Sequence, residues 1–347
     1  MLRHAPPAVG FRAAEMARIA GVREGRFAAL PLAQPSAVRL AVTQRFDGRW
    51  GDAMLAVPGN DGTGPVGTVA AALHLAECCW DVESPPLSRA RRVLFRLLPE
   101  DDDPAYLFEF GAESAGDVKL ARRRRRLLRD AAGAALARAG YESDPRLRGA
   151  AGRTLQRIDA FLRSPLAEHP FTRIGNRHVL AEEASPPSIF ALAMFAWMPK
   201  FRSEYYPVFE RLYGYLAAVM PRQESVQLVG DRVVSEPYLV LGDPLPHRNA
   251  ADADVPRALV WLEMMARLGY LRRNEGWQRV LERYLDDADR AGVWQPRRGA
   301  ALPDATDALS WASRLWQGDL ASDQARGAIT TRLALIARLS GRELELT

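Results

Sequence analysis

Carboxylates placed just ahead of apolar, tryptophan-bearing segments are the residues of this sequence best suited to chemistry. Asp252-Ala-Asp254 precedes Trp261, and Asp304 with Asp307 precedes Trp311; both stretches follow the pattern Asp-x-x-x-Ala-Leu-x-Trp. Glu182 and Glu183 stand in the same relation to the apolar run from Ile189 to Met198. An acid withdrawn from water at such a place is a candidate proton donor. Paired acids also suit glycoside cleavage when their carboxyls stand about 5–5.5 Å or about 6.5–9.5 Å apart. Trp197, Trp261, Trp311 and Trp316 offer π faces that attract a developing cation, and His247 lies upstream of Asp254, where it could orient the carboxyl. The bland alternative is equally physical. Asp254 stands directly ahead of Val255-Pro256, a natural helix N-cap, and tryptophans in apolar helices also serve as core.

The elements that must hold these residues are helical. The tetrad Ala-Leu-x-(large apolar) recurs at Ala72, Ala191, Ala258 and Ala308, with a weaker copy at Ala135-Leu136. Each copy lies in a segment with little polar surface, roughly 65–80, 120–139, 186–198, 255–269 and 305–317, and a helix apolar all round has to be buried. Each is followed by a short break and an amphipathic, Arg/Glu-bearing segment, roughly 86–98, 144–163, 203–220, 274–289 and 324–341, which predicts outer helices with one wet face. A further outer helix is expected near 36–46. Ser185-Pro186-Pro187 and Asp254-Val255-Pro256 mark helix starts. Ile174 to Leu180 and Val226 to Val234 each carry a Gly-Asn or Gly-Asp pair between apolar residues and read as small β-hairpins.

Composition narrows the field. The chain has 347 residues, enough for one large core or two modest ones. Its longest apolar run spans about ten residues, half of the roughly 20 that cross a bilayer. The charge-broken N-terminus lacks a secretory signal pattern, so a cytoplasmic location is the expectation. Net charge is +5, yet only Lys119 and Lys200 among the 47 basic residues are lysines. That bias reads as coding preference, and no nucleic-acid partner is expected. The Arg122 to Arg126 run reads as a solvated helix face, with phosphate contact as its alternative. Cys78 and Cys79 are adjacent and support no disulfide framework, and His74 with Cys78 lacks a third ligand, so neither metal nor cofactor is expected. P-loop, dinucleotide, nucleophile-elbow and zinc-protease signatures are absent from the sequence.

Two further stretches carry a family likeness. Leu40-x-x-x-Gln44-x-x-x-Gly48-Arg49-Trp50 and Tyr284-Leu285-x-x-x-Asp289-x-x-Gly292-Val293-Trp294 are similar to the QW repeat of triterpene cyclases. The chain thus resembles the terpenoid cyclase and protein prenyltransferase superfamily. That resemblance implies an all-α fold, an α/α toroid of five to six helical hairpins with the β-hairpins decorating one rim. It implies one toroid domain over 36–347, with residues 1–35 packed on it. In the class II cyclases the middle acid of Asp-x-Asp-Asp protonates an alkene, and Asp252-Ala-Asp254-Val255 matches three of those four positions with valine in place of the last acid. The likeness therefore implies an isoprenoid-handling enzyme with Asp254 as acid, Asp252, His247, Asp304 and Asp307 about it, and the four tryptophans lining the substrate cavity. An isoprenoid substrate and peripheral contact with a membrane follow as partners. A carbohydrate-active enzyme of the helical-barrel kind and a non-catalytic binding or scaffold protein are the competing readings, and oligomeric state is open.

Overall fold

The computed structural model describes residues 5–19, 21–99, 108–220 and 225–343. The chain forms two compact units, one made of residues 1–92 with 245–347, the other of residues 93–244. In chain order the first unit begins with α1 (Pro7–Met16), α2 (Pro35–Thr43), α3 (Thr68–Glu77) and most of α4 (Pro85–Arg96). The second contains α5 (Gly111–Ser114), α6 (Val118–Arg138), α7 (Pro145–Leu162), α8 (Ile189–Ala196), α9 (Pro199–Glu204) and α10 (Tyr206–Ala217). The chain then returns to the first unit with α11 (Arg248–Asp252), α12 (Val255–Arg267), α13 (Glu275–Asp286), α14 (Ala308–Ala312) and α15 (Asp323–Leu339). Among the described residues, no helix is long and apolar enough to cross a membrane.

The expected all-α toroid is overturned by a four-stranded mixed sheet set among helices that make up about 53% of the chain. Its strands are β1 (Phe171–Ile174), β2 (Arg177–Leu180), β3 (Val226–Val229) and β4 (Arg232–Ser235). Both hairpins turn on two residues, Gly175-Asn176 and Gly230-Asp231, with φ of +57° and +58° at the glycines and not at the residues that follow, as a type II′ turn requires. The hairpins do not stand apart as rim ornaments. Leu180 of β2 pairs with Gln227 of β3 in parallel, so the two join into one sheet in the order β1-β2-β3-β4. The Gln227 side chain, 1% exposed, secures that joint by donating to the carbonyls of Ala181 at 2.8 Å and Ala184 at 2.7 Å. Val229 and Val234 then close over Leu120 at the start of α6.

In the second unit α6 packs against α7 and α8, and α7 against α10. Every residue of α8 is buried, as its composition demands. The α6–α8 approach depends on Gly133, where a β-carbon would stand 2.5 Å from Met194 Sδ. Helix α8 starts three residues later than the Ser185 cap predicts. Residues 187 and 188 stay out of the helix because Ile189 N–H bonds Tyr238 O and Val240 N–H bonds Pro187 O, so Ser188 becomes the N-cap, accepting from Ala191 N at 3.0 Å.

In the first unit α3 lies on α14, and α12 on α15; α1 lies on α15 as well, so the N-terminal residues belong to this core. Helix α14 is shorter than its apolar segment. The buried core of this unit includes a chain of ions: Glu77 accepts from Arg12 at 2.6 Å and from Arg332, and Glu263 accepts from Arg332 at 3.0 Å and Arg267 at 2.9 Å. Buried charges persist only when answered in this way.

The two QW-like stretches act as structural turns, and both act alike. Trp50 N–H donates to Thr68 Oγ1 at 3.1 Å and Trp294 N–H to Thr330 Oγ1 at 2.9 Å, tying each turn to a following helix. They differ at the indole. Trp50 Nε1 donates to Leu40 O at 2.8 Å, whereas buried Trp294 Nε1 has no partner among the described residues. Replacement by phenylalanine opens a similar void in both cases but removes a hydrogen bond only at Leu40, whose carbonyl keeps Thr43 Oγ1 at 3.3 Å as a donor. Trp50→Phe should therefore cost about 1 kcal/mol more than Trp294→Phe, measured as the difference between their urea unfolding free energies.

Candidate functional site

The four aspartates singled out in the sequence lie in the first unit, with Glu182 and Glu183 in the second, and three of the aspartates act on one arginine. Asp254 caps α12 by accepting from Arg257 N at 3.0 Å. Burial lifts its carboxyl above the usual carboxylate range; the Arg257 amide and the charges of Arg314 and Arg257 oppose that rise, and Asp307 adds to it. Asp307, not Asp304, caps α14, accepting from Leu309 N at 2.9 Å, Ser310 N at 2.8 Å and Ser310 Oγ at 2.9 Å. Asp304 is exposed and accepts from Asn60 N at 2.8 Å. Arg314 feels all three carboxylates, while its guanidinium donates to Asn60 Oδ1 and to Pro303 O.

Asp252 is turned to another partner. It pairs with Arg283 at 2.6 Å and closes α11, the helix that exposed His247 caps by accepting from Ala250 N. His247 thus orients a helix end rather than the Asp254 carboxyl. Trp261 is core, edge-on to Trp277 at 5.7 Å, and half-buried Trp311 lies against His74 at 5.0 Å. Trp316 is half-buried in the same unit. Trp197 belongs to the other unit, where Arg138 lies over its ring at 4.9 Å. His74 bonds Ser36 Oγ and Ala312 O, and burial pulls it down to about 4, which leaves it neutral. Glu182 pairs at the surface with Lys119 at 2.7 Å.

The second unit holds an open cleft with about 470 Å³ of empty space, solvent at its mouth included, floored by one face of α6. Arg123, Arg126 and Asp130 stand three and four residues apart, so the helical period stacks them on that face. Arg157 enters from α7, Ser188 from the cap of α8, Gln227 from β3, and Glu236 from the residue after β4.

Asp130, 3% exposed, organises the floor: Oδ1 accepts from Thr154 Oγ1 at 2.9 Å, and Oδ2 accepts from Ser188 Oγ at 2.9 Å and Arg157 at 3.2 Å. Arg123 donates to Gln227 Oε1 at 2.8 Å and to Glu182 O. Arg124, on the other side of α6, is buried and grips Glu113 at 2.6 Å and Glu236 Oε2 at 2.9 Å. The expected solvated face of the Arg122 to Arg126 run is therefore divided, because a full helical turn cannot face water once α7 and the sheet pack on it.

Two groups in the cleft are not answered. No described carboxylate pairs with half-buried Arg126; burial, followed by the charges of Arg157, Arg123, Arg122 and Arg129, pulls its pKa down. Glu236 Oε1 is buried without a hydrogen-bond partner among the described residues, and burial pushes this carboxyl above its usual range against the pull of Arg124.

No protein-family model, no curated protein and no solved structure matches this chain.

Sequence reasoning passed over Asp130, Arg157 and Glu236. Asp130 carried a signal, a lone acid inside the alanine-rich stretch Arg129 to Ala137, where an unpaired charge could not be buried. Arg157 and Glu236 carried none, since each sits in an ordinary charged context and reaches the cleft only through tertiary packing.

Stability measurements separate the two kinds of residue. Asp130→Ala should cost about 3–5 kcal/mol, because it strands Arg157, Thr154 and Ser188 together. Arg126→Gln should be neutral or stabilising by about 0.5 kcal/mol, since the charges that act most on this guanidinium are those of other arginines. Chemical denaturation of the two variants beside the parent chain checks both signs.

Proposed function

We propose that this chain binds a compact anion, a phosphate or phosphate ester, in the α6–α7–β3 cleft of residues 93–244. Arg126 carries the reading. A cation half withdrawn from water, crowded by like charges and paired with no described carboxylate, raises the free energy of the empty site, and an incoming anion relieves it. Arg157 and Arg123 border the same space. A planar fork on each guanidinium suits a tetrahedral oxyanion better than ammonium groups would.

The reading is tested by titrating the full chain with inorganic phosphate and with methyl phosphate, followed by calorimetry and thermal unfolding. The melting temperature should climb with ligand as mass action requires. The gain should shrink as sodium chloride is added and disappear in Arg126→Gln. No shift in melting temperature up to roughly 10 mM phosphate, or undiminished binding by Arg126→Gln, overturns it.

A second reading keeps Asp254 as a proton donor to a linear polyprenyl substrate. The position of its carboxyl, lifted above the carboxylate range by burial, supports that role. Asparagine is as good an N-cap as aspartate. Asp254→Asn should accordingly abolish cyclisation while leaving the melting temperature within about 2 °C of the parent's. Unchanged turnover in the variant removes Asp254 from the chemistry.

A further inference from the structure

The lining of the cleft is specific about what else the anion must carry. Most of its polar capacity is already committed. Gln227 Nε2 is taken by the carbonyls of Ala181 and Ala184, and its Oε1 accepts from Arg123. Ser188 Oγ donates to Asp130 and accepts from Ala191 N. Both Asp130 oxygens are engaged. Among the charged groups of the lining, the described residues leave unanswered one cation, Arg126, and one carboxyl oxygen, Glu236 Oε1.

The Glu236 side chain is 8% exposed, and its other oxygen is pinned by Arg124 at 2.9 Å. An unpaired buried oxygen is costly, and native folds rarely retain one without a use. Glu236 lines the cleft, so this unanswered oxygen belongs to its wall.

Resting on the anion-binding reading, we propose that the ligand is a phosphate monoester bearing a hydroxyl close to its ester carbon, a polyol or sugar phosphate. Arg126, with Arg157 and Arg123, receives the phosphate, and Glu236 bonds the hydroxyl. A hydroxyl fits better than an ammonium group for two reasons. Three guanidinium groups border the cleft and repel a second cation. A hydroxyl both donates and accepts, so it satisfies Glu236 whether the carboxyl is ionised or protonated. The titratable and charged groups facing that carboxyl are Arg124 and Arg123 of α6 and Glu113 of α5.

The test compares two probes of nearly equal size, glycerol 3-phosphate and n-propyl phosphate, titrated calorimetrically into the full chain. Glycerol 3-phosphate should bind about tenfold more tightly, the worth of one hydrogen bond to a charged group. Glu236→Met should shrink that preference to less than about twofold while still binding both probes, and Glu236→Gln, which keeps a hydrogen-bonding end, should restore part of it. Arg126→Gln should lose both probes together. Equal affinity of the parent chain for the two probes overturns the hydroxyl assignment and leaves the anion site standing. Failure to bind either probe overturns the anion site as well. The parent-chain comparison decides the matter even if Glu236→Met does not fold.

Discussion

A carboxylate buried in a helix interface has to be answered from more than one direction, and the second unit is arranged around that requirement at Asp130. Its two oxygens take a hydroxyl from α7, a hydroxyl from the cap of α8 and a guanidinium from α7. Remove any one of these and an ion is left in a medium that solvates it poorly. The constraint fixes three elements at once. Thr154 and Arg157, three residues apart, must face α6; Ser188 must stay out of the helix it caps; and the chain before it must remain extended along residues 238–240. The walls of the cleft therefore follow from satisfying one buried charge.

Against that background the two units treat arginine differently. In the first, Arg12, Arg332 and Arg267 are threaded between Glu77 and Glu263, so each buried charge meets its opposite. Such a chain holds α1, α3, α12 and α15 in register, with every member paired to an opposite charge. In the second, Arg124 is equally well answered by Glu113 and Glu236, but Arg126, two residues further on, feels chiefly the charges of other arginines, while Asp130 one turn away is committed to Thr154, Ser188 and Arg157. A fold gains no stability from that arrangement. Its retention makes physical sense where binding supplies the missing partner, and this is the same logic by which strained or uncompensated groups collect at functional sites.

Much of the helical plan was legible because burial writes itself into composition. An apolar run such as Ile189 to Met198 has no stable place except the interior, and the Gly-Asn and Gly-Asp pairs announce their turns. The four-stranded sheet was not legible. It arises from one parallel contact, Leu180 with Gln227, between hairpins some 45 residues apart, and nothing in either hairpin's own sequence names its neighbour. The toroid expectation fails at this point: alternation of greasy and half-greasy helices is compatible with many packings, and the sheet selects another. The QW-like stretches show the same limit. Their tryptophans and spacing encode a turn tied to a later threonine, a local device that more than one architecture can use.

The sequence by itself determined which segments are helical, which of them are buried and where the chain turns, because apolar periodicity and glycine pairs act over a few residues, whereas the start of α8 was moved by a tertiary contact. It also placed Arg123, Arg126 and Asp130 on one helical face, since the helix period alone decides that. Only the tertiary structure decided which acids are caps and which are counter-ions. It turned Asp252 toward Arg283, gathered Asp254, Asp304 and Asp307 about Arg314, and brought Arg157 and Glu236 to the α6 face. The reason is that a charge's role depends on the opposite charges and the water around it, and those arrive from segments that no local pattern connects.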